Sequence, residues 1–169
     1  MPTAHRTREI AASQQALWEV IGDPHHLPRW WPRVSRMEAV TRTGTGEFDA
    51  FTEVLQSPKG KMVRADFRLL ERVEQQRIAW SQEVENTPFE RVLESAETAI
   101  ELTPLPASAD GPATRVRIEL SQELRGFRSG AAQGSWISGI SRLGSPLVRR
   151  AAGSTLDDAL DGLERIVGH

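Results

Sequence analysis

Two chemically useful side chains are missing from this chain, because its 169 residues include neither cysteine nor tyrosine. Without cysteine there are no disulfide bonds, iron–sulfur clusters, cysteine-ligated zinc sites or thiol nucleophiles. Without tyrosine, general acid–base chemistry is left to carboxyl groups and histidine. Lysine is scarce as well, since only Lys59 and Lys61 occur, and arginine carries the remaining positive charge.

Long apolar runs are also missing. No stretch approaches the roughly 20 apolar residues that span a bilayer, and the N-terminus MPTAHRTREI has no apolar signal region. The net charge of −2 produces no field that attracts nucleic acid or anionic lipid. We therefore expect a single domain over residues 1–169 that is cytoplasmic, with no nucleic-acid partner and no integral membrane association. Both a monomer and a homodimer are compatible with the sequence.

The familiar catalytic and metal-binding motifs are absent. The four histidines are His5, His25, His26 and His169, and their spacing does not bring three ligands to one metal ion. The segment Gly139–Gly144 misses the Gly-x-Ser-x-Gly nucleophile motif by one position. No glycine-rich phosphate loop is present. We expect no metal, no cofactor and no recognisable catalytic residue.

The N-terminal pattern predicts a strand followed by two short helices. His5–Ile10 alternates as a strand, and Ser13 is a natural N-cap for a helix whose apolar residues recur at helical spacing. Gly22-Asp23-Pro24 ends that helix. A second short helix or turn carries Trp30 and Trp31; we expect Trp30 to anchor this helix to the sheet edge and Trp31 to face a cavity mouth.

The central part of the chain changes to a period of two, which predicts antiparallel strands with one covered face. The predicted strands are Val34–Arg42, Glu47–Leu55, Met62–Glu71, Arg77–Val84, Val92–Thr103 and Thr114–Leu124. In Glu47–Leu55 the inward set is Phe48, Ala50, Thr52 and Val54. Glu53 falls on the polar face of this strand, although Phe51 and Leu55 interrupt that face.

The C-terminal part predicts a long amphipathic helix after a glycine-rich segment. Ser145 and Pro146 are typical of a helix start, and apolar residues then recur at spacings of three and four for about 20 residues. Gly153 and Gly162 weaken the helix and mark a bend or a close approach to the sheet. Residues 126–145, with Trp136, are either a flexible flap over a cavity or a linker.

The N-terminal motifs resemble the opening of the polyketide cyclase/dehydrase family, part of the START-like (SRPBCC, Bet v 1-like) superfamily. The resemblance lies in Leu17–Ile21, Asp23-Pro24 and Leu27–Pro32, and extends to the hairpin that joins Leu102-Thr103-Pro104 to Gly111–Val116. It implies an α+β helix-grip fold. In that fold a curved antiparallel sheet of about seven strands wraps around a long C-terminal helix, with two short helices after strand 1.

The resemblance further implies an apolar cavity between the sheet and the C-terminal helix. The predicted inward positions are mostly apolar, with a few uncharged polar exceptions, which is typical of a binding pocket. The predicted ligand-binding residues are Trp31, Phe48, Thr52, Phe67, Trp80, Gln82, Thr98, Ile100, Ile118, Gln122 and Leu156. The leading hypothesis is binding or transport of a hydrophobic or aromatic small molecule, lipid-like or polyketide-like.

Two other hypotheses stay open. The first is a cofactor-independent cyclase or dehydratase of the aromatase/cyclase type, which acts by positioning its substrate. The absence of inward histidine and tyrosine counts against it, and a register slip that turned Arg64, Asp66 and Arg68 inward would favour it. The second is an interaction protein without a ligand, whose partner surface is formed by Phe51, Leu55 and the Trp136 segment.

Overall fold

The computed structural model describes residues 3–57, 59–125 and 145–168. Within these ranges, seven strands form one antiparallel sheet in the order β1-β7-β6-β5-β4-β3-β2. The strands are β1 Thr3–Ile10, β2 Val34–Arg42, β3 Phe48–Gln56, β4 Met62–Val73, β5 Arg77–Glu83, β6 Leu93–Pro104 and β7 Thr114–Leu124. The helices are α1 Gln14–Ile21, α2 Leu27–Trp30 and α3 Ser145–Val167, with 3₁₀ turns at Pro24–His26 and Pro88–Arg91.

The α+β helix-grip fold predicted from the sequence is confirmed. The curved seven-stranded sheet, the two short helices after β1 and the long C-terminal helix are all present. The glycine-rich segment before α3, including Trp136, lies outside the described residues, so the flap and linker hypotheses both remain predictions. No helix in the described parts of the chain combines the length and apolar character needed to cross a membrane.

The two N-terminal helices form where the capping residues place them. The Ser13 hydroxyl accepts a hydrogen bond from the Ala16 amide at 3.1 Å, which satisfies one free amide at the start of α1. The Asp23 carboxylate does the same for His25 at 3.0 Å and starts the 3₁₀ turn that leads into α2. These caps fix the chain reversal that brings α2 over the inner face of the sheet.

Helix α3 is held most closely at the β1 end of the sheet. Its fully buried residues Leu156, Leu160 and Leu163 pack in one core with Ile10 and Ile118. Along its outer side, Arg6 pairs with Asp157 at 3.2 Å and Arg8 pairs with Asp161 and Glu164. Because these contacts seat α3 against β1, the inner face toward β3 and β4 is left for other contacts.

A β-bulge in β3 overturns the predicted inner face of this strand. Arg42 pairs with Phe48 and Thr41 pairs with Ala50, so Asp49 is an extra residue. An extra residue reverses the alternation that follows it. Ala50, Thr52 and Val54, predicted to face inward, therefore lie on the outer face.

The outer-face contacts of β3 agree with this reversed alternation. The Thr52 hydroxyl donates to Asp66 on the exposed side of β4 at 2.5 Å. Val54 lies in register between Arg36 of β2 and Arg64 of β4. The inner face of β3 after the bulge is formed by Phe51, Glu53 and Leu55 instead.

The other strands keep their predicted faces. Ala65 and Phe67 of β4 point to the interior, whereas Arg64, Asp66 and Arg68 are exposed, so the register slip considered for β4 does not occur. A second bulge at Leu70 leaves that side chain 52% exposed. The hairpin of β6 and β7 also forms as expected, and the two strands pair along most of their length.

Candidate functional site

A cavity of about 260 Å³ lies between the inner face of the sheet, α2 and α3. It is formed by residues from β3 to β7, by the first two helices with the turn between them, and by the first half of α3. The lining residues are Ile21, Pro24, Leu27, Trp30, Trp31, Phe51, Glu53, Leu55, Phe67, Trp80, Gln82, Phe89, Val92, Leu93, Ala96, Glu97, Thr98, Ile100, Leu120, Gln122, Leu124, Ala152 and Thr155.

Aromatic rings form much of the wall. Phe51 stacks on Phe67 with ring centroids 5.3 Å apart, and it meets Trp80 edge-on at 4.6 Å. Trp30 and Trp31 meet edge-on at 5.3 Å on the α2 side. Such edge-on and offset contacts stabilise aromatic pairs beyond the burial of their surface, so the rings of the wall support one another.

Most of the predicted ligand-binding residues meet in this cavity. Those that line it are Trp31, Phe67, Trp80, Gln82, Thr98, Ile100 and Gln122. These residues lie on the inner faces of β4 to β7 and at the end of α2. These are the positions that the alternation of the strands and the tryptophan motif predicted. Their contact with a ligand remains a prediction.

Four predicted residues lie elsewhere among the described side chains. Thr52 is on the outer face because of the β3 bulge. Phe48 keeps an inward position but packs against His25, with ring centroids 5.6 Å apart, and against the Arg42 guanidinium. Ile118 and Leu156 are fully buried in the core toward β1 and have no free surface for a ligand.

Trp30 makes a contact that the sequence pattern did not predict, while α2 also lies against the edge strand β2, so the anchoring of α2 to the sheet edge by Trp30 stays a prediction. The backbone of Trp30 lies against Gly162 of α3, so close that a Cβ on Gly162 would stand 2.5 Å from the Trp30 carbonyl oxygen. Trp30 therefore fixes α2 to the C-terminal helix, and it also lines the cavity. The close approach expected for Gly162 is thus to α2 and not to the sheet.

Glu53 is the functional candidate that the sequence pattern missed. It lines the cavity between Phe51 and Leu55, is only 7% exposed, and pairs in register with Met37 of β2 and Ala65 of β4. Within the described part of the chain, no side chain or amide donates a hydrogen bond to its carboxyl group, and no basic side chain pairs with it. The prediction that Glu53 lies on the polar outer face of its strand is therefore wrong.

Burial changes the ionisation of Glu53. Removal from water disfavours the charged form, which raises the pKa of the Glu53 carboxyl from 4.5 to about 8. The carboxyl group is consequently neutral at pH 7 and carries a proton that it can donate. A clue was visible in the sequence, because the apolar residues Phe51 and Leu55 stand two positions on either side of Glu53.

Two further hydrogen-bond donors at the cavity are unused. The side-chain amide nitrogen of Gln82 and the indole nitrogen of Trp30 are buried and have no acceptor. Buried polar groups are nearly always paired, so unpaired donors at a cavity are candidates for ligand contacts. The described lining residues include no arginine, lysine or histidine. No group of three potential metal ligands occurs among the described residues.

Comparison with known families identifies the chain. The model of the family described as "polyketide cyclase / dehydrase and lipid transport" matches residues 1–168. The chain belongs to this family. The family description covers both enzymes and carriers, so this polyketide cyclase/dehydrase family member is compatible with either activity. A search of curated proteins found no match.

Solved structures support the fold of this family member. A START superfamily protein from Mycobacterium smegmatis has a TM-score of 0.73 at 18% identity, with 99% of this chain and 97% of that chain covered. A conserved protein from Geobacillus kaustophilus has a TM-score of 0.70 at 16% identity, covering 97% and 93%. A protein from Thermus thermophilus has a TM-score of 0.65 at 21% identity, covering 97% and 95%.

Proposed function

We propose that this protein binds or carries a predominantly apolar small molecule in the cavity between the sheet and α3. The observation that supports this proposal most strongly is the aromatic wall of Phe51, Phe67 and Trp80, whose rings contact one another and line the cavity. Each Å² of apolar ligand surface removed from water contributes roughly 25 cal/mol. An uncharged wall of this kind is sufficient for binding.

The proposal includes the binding partner and the oligomeric state that the sequence predicts. The proposed partner is a hydrophobic small molecule in the cytoplasm, and the proposed oligomeric state is a monomer or a homodimer. The alternative of an interaction surface formed by Phe51, Leu55 and the Trp136 segment stays a prediction, because Trp136 lies outside the described residues, and it is less favoured because Phe51 and Leu55 line the cavity. Phe51 is only 3% exposed.

A cavity-filling substitution tests the proposed binding. Ala96 lines the cavity from β6, whereas Ala99 on the same strand has the opposite orientation. We expect Ala96→Phe to weaken binding of 2-isopropenylnaphthalene at least tenfold, because the new ring occupies the ligand volume. Ala99→Phe is the matched control and is expected to bind like the wild type. Equilibrium dialysis with the three folded proteins measures both effects.

Two outcomes of this experiment would contradict the proposal. If Ala96→Phe binds the hydrocarbon as well as the wild type does, the ligand does not occupy this cavity. If the wild type itself takes up no hydrocarbon, the apolar binding function is wrong.

A second candidate function is supported by Glu53 alone. A neutral carboxyl group in an apolar cavity can protonate a leaving hydroxyl group, and the carboxylate that this leaves can accept the proton from the carbon next to the ketone, so that water departs, the C=C bond forms and the acid is restored. We expect Glu53→Gln to lower any turnover of 4-hydroxy-4-(2-naphthyl)butan-2-one to its conjugated enone by roughly 100-fold or more. The absorbance of the enone follows the reaction, and a wild-type rate equal to the protein-free rate would remove this candidate.

A further inference from the structure

Glu53 stands apart from the other carboxyl groups of the sheet. On the outer face, Glu38 pairs with both Arg36 and Arg64, and Glu71 pairs with Arg77 at 2.8 Å. The described inner face places no such partner beside Glu53. Burial of a carboxyl group without a hydrogen bond destabilises the folded state. The described contacts of Glu53 therefore give no structural reason for a glutamate at this position.

The described surroundings of Glu53 contain no charge that would favour its ionisation. Across the sheet it faces Met37 on β2 and Ala65 on β4. From α3 the lining residues are Ala152 and Thr155, and from α1 and α2 they are apolar or tryptophan. The only other ionisable lining residue in the described structure is Glu97, which is exposed on β6.

Three of the polar groups at the described cavity are hydrogen-bond donors without an acceptor among the described residues. The neutral Glu53 carboxyl can donate its proton, while the Gln82 amide nitrogen and the Trp30 indole nitrogen have no acceptor. Donors without acceptors are complemented by an oxygen atom of the ligand. Because no cationic side chain lines the described cavity, an ionised ligand carboxylate would be buried without a counter-charge, and a neutral molecule is favoured.

We propose that Glu53 is the specificity-determining residue of the cavity, which donates a hydrogen bond from its carboxyl O–H to an acceptor oxygen of a neutral, mainly apolar ligand. This inference rests on the proposed binding function and deepens it. It assigns the ligand a defined chemistry: an apolar body with a carbonyl or ether oxygen that reaches β3. It also predicts that ionisation of Glu53 removes the donor and weakens binding.

Shape-matched probes test this inference. 2-Acetylnaphthalene and 2-isopropenylnaphthalene differ by the exchange of a carbonyl oxygen for a methylene group. We expect the wild type at pH 6.5 to bind the ketone roughly 5- to 10-fold more tightly, the usual net effect of one hydrogen bond. From about pH 8 upward the preference should fall as Glu53 ionises, and it should be lost more than one unit above its pKa, while the affinity for the alkene should change much less.

Two substitutions separate the donor from the charge. Glu53→Met removes the donor, so the ketone preference should be lost with the alkene affinity kept. Glu53→Gln keeps an N–H donor that does not ionise, so it should retain a preference that no longer depends on pH. Glu94→Gln is the matched control and should behave like the wild type, because Glu94 is exposed on β6 and does not line the cavity. If Glu53→Met does not fold, the pH profiles of the wild type and Glu53→Gln still decide the question.

The outcomes distinguish failure of this inference from failure of the binding function. If the wild type binds both probes equally at pH 6.5, or if Glu53→Met keeps the ketone preference, the inference is wrong and the binding function stands. Stronger binding of 1-(2-naphthyl)ethylamine than of the ketone would show that Glu53 acts as an anion, which also overturns it. If neither naphthalene probe binds, both proposals are wrong.

Discussion

At the scale of single residues, Glu53 has the largest consequence for the chemistry of this protein. Its apolar neighbours Phe51 and Leu55 place it at the cavity, and burial raises the pKa of its carboxyl to about 8. A carboxyl group that is neutral in the folded protein and ionised in the unfolded chain links folding to proton binding. The stability of the protein therefore reports directly on this residue.

The Glu53 carboxyl group is predicted to make the stability of the protein depend on pH. Because the Glu53 pKa is higher in the folded than in the unfolded state, the folded state binds more protons between pH 4.5 and about 8. In this window Glu53 lowers the free energy of unfolding as the pH rises, by about 1.4 kcal/mol for each pH unit at most. Glu53→Gln removes this contribution, so the variant should gain stability over the wild type as the pH increases.

Urea unfolding from pH 5 to pH 9 measures this difference. The variant Glu97→Gln serves as the control, because its carboxyl group is exposed. A difference between the wild type and Glu53→Gln that stays constant with pH would contradict the burial of an unpaired Glu53 carboxyl.

At the scale of secondary-structure elements, the β3 bulge and the contact between α2 and α3 shape the cavity. The bulge at Asp49 brings Phe51 and Glu53 to the inner face. Gly162 lets the backbone of Trp30 approach α3, where a Cβ would lie 2.5 Å from the carbonyl oxygen and 2.8 Å from the Cα of Trp30. Both features position the cavity walls through the backbone, which cannot move away as a flexible side chain can.

Alanine substitutions at Gly162 and Gly153 of α3 are predicted to change the stability of the protein in different directions. Alanine gains about 1 kcal/mol of helix propensity over glycine in each case. We expect Gly162→Ala to be destabilising by about 1–3 kcal/mol, because its Cβ overlaps the backbone of Trp30. Gly153→Ala should be neutral or slightly stabilising, since its Cβ meets only the exposed guanidinium of Arg6, which can move. Urea unfolding of both variants tests the α2–α3 contact. Equal stabilisation by the two substitutions would contradict it.

The elements themselves were largely predictable from the sequence, and the exceptions have one physical origin. Regular alternation in β5 and β7 predicts the inner face correctly, because the register shifts beside these two strands place the extra residue on the neighbouring strands β4 and β6. In β3 the extra residue Asp49 shifts the alternation by one. A bulge does not require a particular residue type, so the sequence does not reveal where it occurs. The alternation that begins at Phe48 therefore assigns Thr52 to the wrong face.

At the scale of the whole molecule, the fold and the family follow from the sequence more securely than the site does. The motifs at Leu17–Ile21 and Leu27–Pro32 identify a family whose model spans residues 1–168. The division of the inner face into core and cavity is different, because it depends on where α3 rests on the sheet. Ile118 and Leu156 have the same periodicity as cavity residues but lie in the core that α3 covers. That residues 1–169 form a single domain stays a prediction.

The most direct test of the central claim is a crystal structure of the wild type with 2-acetylnaphthalene, grown at pH 6.5. The proposed binding function predicts the naphthalene rings in the cavity beside Phe51 and Trp80, and the inference about Glu53 predicts the ketone oxygen within hydrogen-bonding distance of its carboxyl group. A ligand bound on the outer face of the sheet, with side chains filling the cavity, would contradict the account.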